Sequence, residues 1–242
     1  MSRIVFGLHP IRELLKRDAS RIQALWVAQA RADVLLDGKA LGPIPAQMAV
    51  HRVPQEQLDA LGGEHSHQGV AAVVGDYQYA NFYDLFPEEG GPAPLLLVVD
   101  GVTDPQNLGA MLRSAVALGA TGVVLTKDRC AQITPTVVRI SSGASEHVRC
   151  ARVTNLARAL RELKDAGVWI VGTVESGGQK PGDLDMVTPV ALVLGSEHAG
   201  MRPLVRKQCD LLATIPTPGV IKALNVAAAT TAVFYEAARQ RS

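Results

Sequence analysis

Short apolar runs alternate with amphipathic stretches over the C-terminal part of the chain. The run Leu95–Asp100 has no polar alternation, which is typical of a strand buried on both faces. Further on, Leu156, Leu160 and Leu163 recur at helical spacing. The same patterns predict strands at 122–125, 168–174, 190–194 and 211–215, and helices at 107–118, 155–164 and the C-terminus. This alternation favours an α/β fold with a mostly parallel sheet covered by helices.

The N-terminal part of the chain has a separate pattern. Pro10–Arg17 is predicted to be a helix with Ile11, Leu14 and Leu15 on one face. Short strands are expected at 24–28, 46–53 and 69–74. Turn formers without a sustained period then fill 77–92. The sequence therefore predicts a small α/β domain at 1–76, a linker at 77–92 and a larger domain at 93–242.

Composition narrows the class of protein. The chain has 242 residues, 48% of them apolar, which is enough for a sizeable core. Its three cysteines form no C-x-x-C pair, which favours reduced thiols in a cytoplasmic protein. No apolar run approaches the roughly 18 residues that a membrane span needs. We expect His9, His65 and His67 to be loop histidines rather than metal ligands, because no cysteine or carboxylate cluster accompanies them.

The net charge of +1 gives no argument for a nucleic-acid partner. Binding to RNA would have to come from local basic clusters. The candidates are Arg149 with Arg152, and Arg202 with Arg206 and Lys207. By themselves such clusters are more typical of a solvated face.

Glycines in the larger domain stand late in the chain. The turn after the first strand, 101–107, lacks the G-x-G-x-x-G pattern, so a dinucleotide-binding enzyme is disfavoured. Gly195, Gly200 and Gly219 instead occupy loops after apolar strands, where glycine permits a positive φ or a close approach to a ligand. Tight turns are the simpler interpretation of each one alone.

Four polar residues allow both a structural and a chemical interpretation. Asn107 and Asn225 stand where helices are predicted to begin, so each is expected as an N-cap or as a site residue. Arg113 lies nearly two turns into its helix, where an exposed arginine is ordinary. Glu197 lies on a glycine-flanked loop, where a carboxylate is ordinarily exposed to solvent.

Three segments resemble the three motifs of the SpoU family (SPOUT superfamily) of RNA ribose 2′-O-methyltransferases. They are NLGAMLR at Asn107–Arg113, LGSEHAGM at Leu194–Met201 and IPTPGVIKALNV at Ile215–Val226. The N-terminal half resembles the RNA-binding domain of the branch that methylates a guanosine ribose of bacterial large-subunit ribosomal RNA. The matching pieces there are IVFGLHPI at Ile4–Ile11 and HQGV at His67–Val70.

The resemblance implies a fold, a cofactor and partners. It implies a deep trefoil knot in the C-terminal domain, S-adenosylmethionine as methyl donor and ribosomal RNA as substrate, with no metal and no membrane. It also implies a homodimer through the C-terminal domain. We expect the last helix to form part of that interface, because Val226, Val233 and Phe234 make an apolar stripe on it.

The resemblance also assigns residues to roles. Asn107, Arg113, Glu197 and Asn225 are implied as catalytic, and the main chain of Gly195, Ile215 and Leu224 as the cofactor site. A guanidinium has a pKa above about 12 and is a poor base. Arg113 is therefore expected to bind the adjacent phosphate and polarise the 2′-oxygen.

The chain departs from the family pattern at one position. Ala223, after Lys222, stands where the third motif usually has serine. We expect the missing hydroxyl to tune cofactor or loop binding by about 1 kcal/mol. The alternatives are a transfer-RNA ribose methyltransferase, which shares these motifs, and a non-catalytic RNA-binding protein of ribosome assembly. Only Ala223 supports the latter.

Overall fold

A computed structural model of the chain describes residues 3–62, 67–197, 199–221 and 223–242. It divides into two compact units. The first contains Met1–Gln78 together with Ile133–His147, and the second contains Tyr79–Gln132 and Val148–Ser242. His65, an expected loop histidine, and Lys222, which precedes Ala223, lie outside the described residues. The expected division at 76 and 92 remains a prediction.

The first unit is built on a four-stranded sheet with the order β1-β4-β2-β3. Its strands are β1 (Arg3–Phe6), β2 (Ile22–Ala28), β3 (Ala49–Val53) and β4 (Val70–Val74), and its helices from the N-terminal segment are α1 (Leu8–Asp18), α2 (Ala32–Leu35) and α3 (Gln55–Gly62). The predicted helix α1 is confirmed, and it buries Ile11, Leu14 and Leu15 as expected. The three predicted strands are also present. The strand β1 and the helices α2 and α3 were not predicted.

The expected loop histidines have defined places. His9 is not in a loop but in the first turn of α1, where its Nδ1 lies 3.0 Å from Arg12 Nη2. His67 is buried, and its Nδ1 accepts a hydrogen bond from the Gly69 backbone while its Nε2 lies 2.7 Å from Asp59 Oδ1. Within the described ranges, no group of three or more histidine, cysteine, aspartate or glutamate residues could hold a metal ion.

The segment Ile133–His147 completes the first unit. It contains α5 (Pro135–Ile140), which packs against β1, and a short 3-10 helix at Ala144–Glu146. Arg3 Nη1 donates to the Ile133 carbonyl at 2.8 Å, and the Tyr77 hydroxyl donates to the Ser145 carbonyl at 2.9 Å. The core of this unit therefore depends on residues that are distant in sequence from the N-terminal domain.

The second unit contains a six-stranded sheet with the order β10-β8-β9-β5-β6-β7, in which every pair is parallel. Its strands are β5 (Leu95–Asp100), β6 (Gly122–Thr126), β7 (Arg149–Val153), β8 (Trp169–Thr173), β9 (Val190–Gly195) and β10 (Leu211–Ala213). Its helices are α4 (Pro105–Ala117), α6 (Leu156–Asp165), α7 (Pro203–Arg206) and α8 (Val226–Gln240). The predicted α/β class is confirmed. All six residues of β5 are buried, as its apolar run indicated.

The stretch 77–92 is more ordered than its turn-forming composition suggested. Phe82–Leu85 forms a 3-10 helix that begins with a capping box between Asn81 and Asp84. Leu85 is buried in the core of the second unit, where it packs with Leu96 and Val124. The beginning of the second unit therefore precedes the first strand of its sheet.

The apolar stripe of α8 was predicted as a dimer contact, and for those residues the prediction is wrong. Val226, Val233 and Phe234 are at most 5% exposed, because α8 packs against α4 and β9 of the same chain. At the end of α8, Arg241 donates to the carbonyls of Met186, Ala93, Pro94 and Thr188. The stripe fixes α8 in its own unit.

The cysteines are free thiols. Cys150 is buried, and burial raises the pKa of Cys130 and of Cys209 to about 11. Both thiols therefore stay protonated at neutral pH. No described helix is both long and apolar enough to cross a membrane.

The first unit contains a buried ion pair between Arg21 and Glu146. The Glu146 side chain is 2% exposed and that of Arg21 is 15% exposed. Removal of one charge of a buried pair costs about 3–5 kcal/mol, because the other charge is left buried. We expect Glu146→Gln to lower the free energy of unfolding of this unit by about 3 kcal/mol. Urea unfolding in a Trp169→Phe background reports it, since Trp26 of β2 is then the remaining tryptophan.

The matched control is Glu162→Gln, which breaks an exposed helical pair with Arg158 in the second unit. Exposed pairs contribute up to about 1 kcal/mol, so the Trp26 transition should not move. An equal shift for both variants would contradict a buried, unit-specific ion pair.

Candidate active site

The three segments singled out in the sequence follow the carboxyl ends of β5, β9 and β10. The first lies on α4, and the other two lie mainly on loops. In the sheet, β9 lies beside β5, and β8 separates β9 from β10. In open parallel sheets, ligands bind in the crevice outside the carboxyl ends of the strands. The architecture therefore brings the candidate residues to the edge where a site is expected.

The loop after β9 is closed on itself. Ser196 and Gly200 exchange two backbone hydrogen bonds, of 3.1 and 2.8 Å, and Gly200 has a φ of +63°. A Cβ on Gly195 would lie 2.2 Å from the carbonyl carbon of Gly200, so no other residue fits there without a backbone shift. Gly219, by contrast, has open space around its Cβ position. This tight loop presents Glu197.

Asn107, Glu197 and Asn225 form a closed ring of hydrogen bonds. Asn107 Nδ2 donates to Glu197 Oε2 at 3.1 Å, and Asn225 Nδ2 donates to Asn107 Oδ1 at 3.0 Å. Asn225 Nδ2 also donates to Glu197 Oε1, which accepts the Val226 backbone N–H as well, at 3.3 Å. The ring thus joins one residue from each of the three segments.

The two asparagines differ in their relation to their helices. Asn225 is the N-cap of α8, since its Oδ1 accepts the Ala227 N–H at 2.9 Å. The N-cap interpretation of Asn107 is wrong. Asp104 caps α4 and Pro105 takes its first position, so Asn107 lies inside the first turn with its side chain free for the ring. Asn225 therefore has a structural and a site role together.

A cavity of about 450 Å³ adjoins the ring. Its walls come from the ends of three neighbouring strands: the loop 173–176 after β8, the loop 194–201 after β9 and the segment 213–229 after β10. Gly195, Ile215 and Leu224, which were expected at a cofactor site, all line it, as does Ala223. The volume lies within the range of about 300–1,000 Å³ that small-molecule sites occupy.

Arg113 stands apart from the ring. It is exposed on α4 and does not line the cavity. Among the described residues, no group accepts a hydrogen bond from its side chain or forms an ion pair with it. Its guanidinium is therefore available to a ligand that approaches from solvent.

Several basic residues of the predicted clusters have partners within the chain. Arg149 donates to the Asp84 carbonyl at 2.9 Å, and Arg152 lies over the ring of Tyr79 at 3.9 Å from its centroid. Arg202 is paired with Asp100. These three arginines therefore have partners within the chain.

Sequence reasoning missed Asp100 and the loop 173–176. Asp100 is the last residue of β5 and is only 1% exposed. A charged residue at the end of an otherwise apolar strand was the available signal. The loop 173–176 carries no motif, and only the order of the strands places it beside the cavity.

The chain is similar to known proteins over its whole length. The sequence profile of the SpoU rRNA Methylase family matches residues 94–235, and that of the RNA 2′-O ribose methyltransferase substrate-binding domain matches 4–80. The 23S rRNA (guanosine-2′-O-)-methyltransferase RlmB of Photobacterium profundum is 41% identical, covering 98% of each chain. The corresponding protein of Ralstonia nicotianae is 41% identical, covering 100% of this chain and 97% of its own.

Solved structures agree with this similarity. The SpoU methyltransferase AviRb from Streptomyces viridochromogenes, in complex with the cofactor AdoMet, superposes with a TM-score of 0.81 at 29% identity, covering 99% of this chain and 90% of that one. A TrmH/SpoU tRNA modifying enzyme from A. aeolicus matches 61% of this chain and 75% of its own, with a TM-score of 0.56 at 31% identity. The chain belongs to the SpoU methyltransferase family.

The two roles of Asn225 can be separated by substitution. Serine caps helices about as well as asparagine but lacks the amide donors. We expect Asn225→Ser to keep the stability of the second unit within about 0.5 kcal/mol, and Asn225→Ala to lose about 1 kcal/mol. Both should accelerate hydrogen exchange of the Asn107 side-chain amide, measured by NMR. Trp169 fluorescence in a Trp26→Phe background reports the stability.

Asn155→Ser is the matched control, because Asn155 caps α6 and lies outside the ring. It should leave the Asn107 amide signal unchanged. Unchanged exchange in both Asn225 variants would mean that Asn225 does not hold the Asn107 side chain in solution.

Proposed function

We propose that this chain methylates the ribose 2′-hydroxyl of a guanosine in 23S ribosomal RNA, with S-adenosylmethionine as the methyl donor. One observation carries the proposal: a chain that is 41% identical to RlmB over its full length brings the residues of all three SpoU motifs together beside one cavity. The tRNA modifying relative matches only 61% of the chain, which favours a ribosomal substrate.

The cavity fits S-adenosylmethionine in size and in the character of its walls. Leu194, Ile215 and Leu224 supply apolar surface for a purine, and the strand ends supply main-chain donors and acceptors. Gly195, Ile215 and Leu224 would hold the adenosine part. When bound, S-adenosylmethionine supplies an electrophilic methyl group on a positive sulfur.

The residues of the chain position the acceptor. Arg113 would bind the phosphate next to the target nucleotide and polarise the 2′-oxygen, as a permanently charged donor can. Glu197 is a poor general base, because both of its oxygens already accept hydrogen bonds. The ring of Asn107, Glu197 and Asn225 would instead fix the three segments around the reacting groups. The proton would leave to solvent.

The remaining expectations rest on family membership. We propose the trefoil knot in the C-terminal part, a cytoplasmic location and a homodimer through the C-terminal domain. The buried stripe of α8 is not the interface. Other apolar side chains support one, since Val220 is 99% exposed, Ile221 80% and Tyr235 61%. The N-terminal unit would hold the ribosomal RNA.

Transfer of a radiolabelled methyl group to unmodified 23S ribosomal RNA tests the function. The protein should methylate a guanosine ribose, mapped by mass spectrometry. Arg113→Ala should lower the rate about 100-fold or more, as the loss of one donor to a developing oxyanion does. Its affinity for S-adenosylhomocysteine should stay within about twofold, because Arg113 lies outside the cavity.

Arg161→Ala, an exposed arginine on α6, is the control and should keep full activity. Methylation of transfer RNA alone would identify the tRNA alternative. No transfer to either RNA would identify a non-catalytic relative. A rate for Arg113→Ala within threefold of the parent would remove Arg113 from the site.

Ala223 gives a separate test of the cofactor site, since its methyl group lines the cavity. Ala223→Ser restores the family hydroxyl, and one added hydrogen bond should tighten cofactor binding about three- to tenfold. Turnover should barely change, because a contact made equally in the ground and transition states does not raise it. Calorimetry and single-turnover rates measure the two effects.

The control is Ala228→Ser, an exposed position on α8 outside the cavity. It should change neither quantity. A large rise in rate for Ala223→Ser at unchanged affinity would contradict the tuning role and assign the hydroxyl to the chemical step.

A further inference from the structure

Asp100 is a buried carboxylate with two bonds to a single residue. Its side chain is 0% exposed. Its Oδ2 accepts the backbone N–H of Arg202 at 2.7 Å, and its Oδ1 accepts Nε of the same residue at 2.6 Å. A charge this deeply buried is costly unless it is paired and hydrogen-bonded, and Arg202 provides both.

Asp100 and Arg202 lie at the boundaries of two of the catalytic segments. Asp100 ends β5, and the chain continues from it into α4, which carries Asn107. Arg202 directly follows the closed loop that carries Glu197. The pair therefore ties the start of one segment to the end of another, residues that are 102 positions apart.

We propose that Asp100 is a positioning residue for methyl transfer: through Arg202 it holds the Glu197 loop where that carboxylate meets Asn107 and Asn225. The activity measurement that tests this proposal rests on the proposed function. Asp100 does not touch the ring itself, and it does not line the cavity.

The sheet does not need this ion pair. The strands β5 and β9 pair along their full length, from Leu95 with Val190 to Asp100 with Gly195. Among the described residues of the loop after Gly195, the Ser196–Gly200 bridge is the only strand-like pairing. Loss of the Asp100 contacts should therefore release the loop and leave the sheet paired.

Asp210 offers a matched control. It also accepts a backbone N–H, from Ile170 at 2.9 Å, and pairs with a cation, Lys164, at 2.7 Å. It lies at the amino end of β8 and β10, the edge opposite the cavity. Each aspartate therefore accepts one backbone N–H and pairs with one cation, at opposite edges of the sheet. Asp210 is the less buried of the two, with a side chain 19% exposed.

The first experiment is a double-mutant cycle on single-turnover methylation of unmodified 23S ribosomal RNA at saturating cofactor. Asp100→Asn places an amide donor against one of the two Arg202 donors, so the loop should shift. We expect a loss of about 30- to 100-fold, as a misplacement of about 1 Å causes. If Asp100 acts through Glu197, Asp100→Asn should cost less than about threefold in a Glu197→Gln background.

Losses that multiply in the double variant would overturn the proposal, because Asp100 would then act independently of Glu197. A rate for Asp100→Asn within threefold of the parent would overturn it as well. Asp210→Asn should keep the parental rate and multiply with Glu197→Gln. If Asp100→Asn does not fold, Arg202→Gln removes the side-chain bond alone and takes its place in the cycle.

The second experiment needs no activity. Amide hydrogen exchange at Gly200 and Arg202 should be about tenfold faster or more in Asp100→Asn, while Leu192 and Val193 within β9 stay protected. Asp210→Asn should change neither loop amide. Unchanged exchange at the loop would overturn the proposal. If the parent protein methylates no RNA, the proposed function fails, and the exchange result still decides whether Asp100 holds the loop.

Discussion

The carboxylate of Glu197 is the point at which three distant stretches of chain meet. It accepts hydrogen bonds from two asparagine side chains and from the first backbone N–H of α8. An anion at a helix N-terminus is favoured by the helix dipole, so Glu197 also stabilises the start of α8. Glu197 thus links the start of α8 to Asn107 in the first turn of α4, beside the cavity.

Close backbone contact makes this arrangement possible. Gly195 ends a strand directly against the returning chain at Gly200, so the loop that carries Glu197 stays close to the end of β9. The far end of α8 is held by the four carbonyl contacts of Arg241. The helix that bounds the cavity is therefore fixed at both ends by polar contacts and along its length by apolar ones. Such a pocket is formed before its ligand arrives.

The sequence predicted secondary structure best in strands that are buried on both faces and therefore have no polar positions. The strand β5 was predicted with its observed bounds, because a strand covered on both faces is apolar throughout. The strand β7 was missed, since Arg149 and Arg152 interrupt it, and charges are tolerated at the edge of a sheet. Helix α5 has a clear start at Thr134 and Pro135, but its six residues are too few for a periodicity.

The residues of the candidate site were predicted from the sequence, but the hydrogen bonds between them were not. Asn107 and Glu197 are 90 positions apart, and no local pattern states that they touch. The family resemblance identified the residues. The order of the parallel strands explains why they lie close together. Asn107 shows the limit of local reasoning, because an asparagine near a helix start suggests a cap, whereas the preceding Asp104 and Pro105 already serve as the helix start.

The segment Ile133–His147 has a consequence for synthesis on the ribosome. The first unit contains Met1–Gln78, but its core is closed only by this later segment. About 70 further residues must be made first, which takes roughly 3–14 s at about 5–20 residues per second. During that interval the buried face of β1 and the charge of Arg21 lack their partners. The N-terminal unit should therefore be a late folder during translation, although it is the first to emerge.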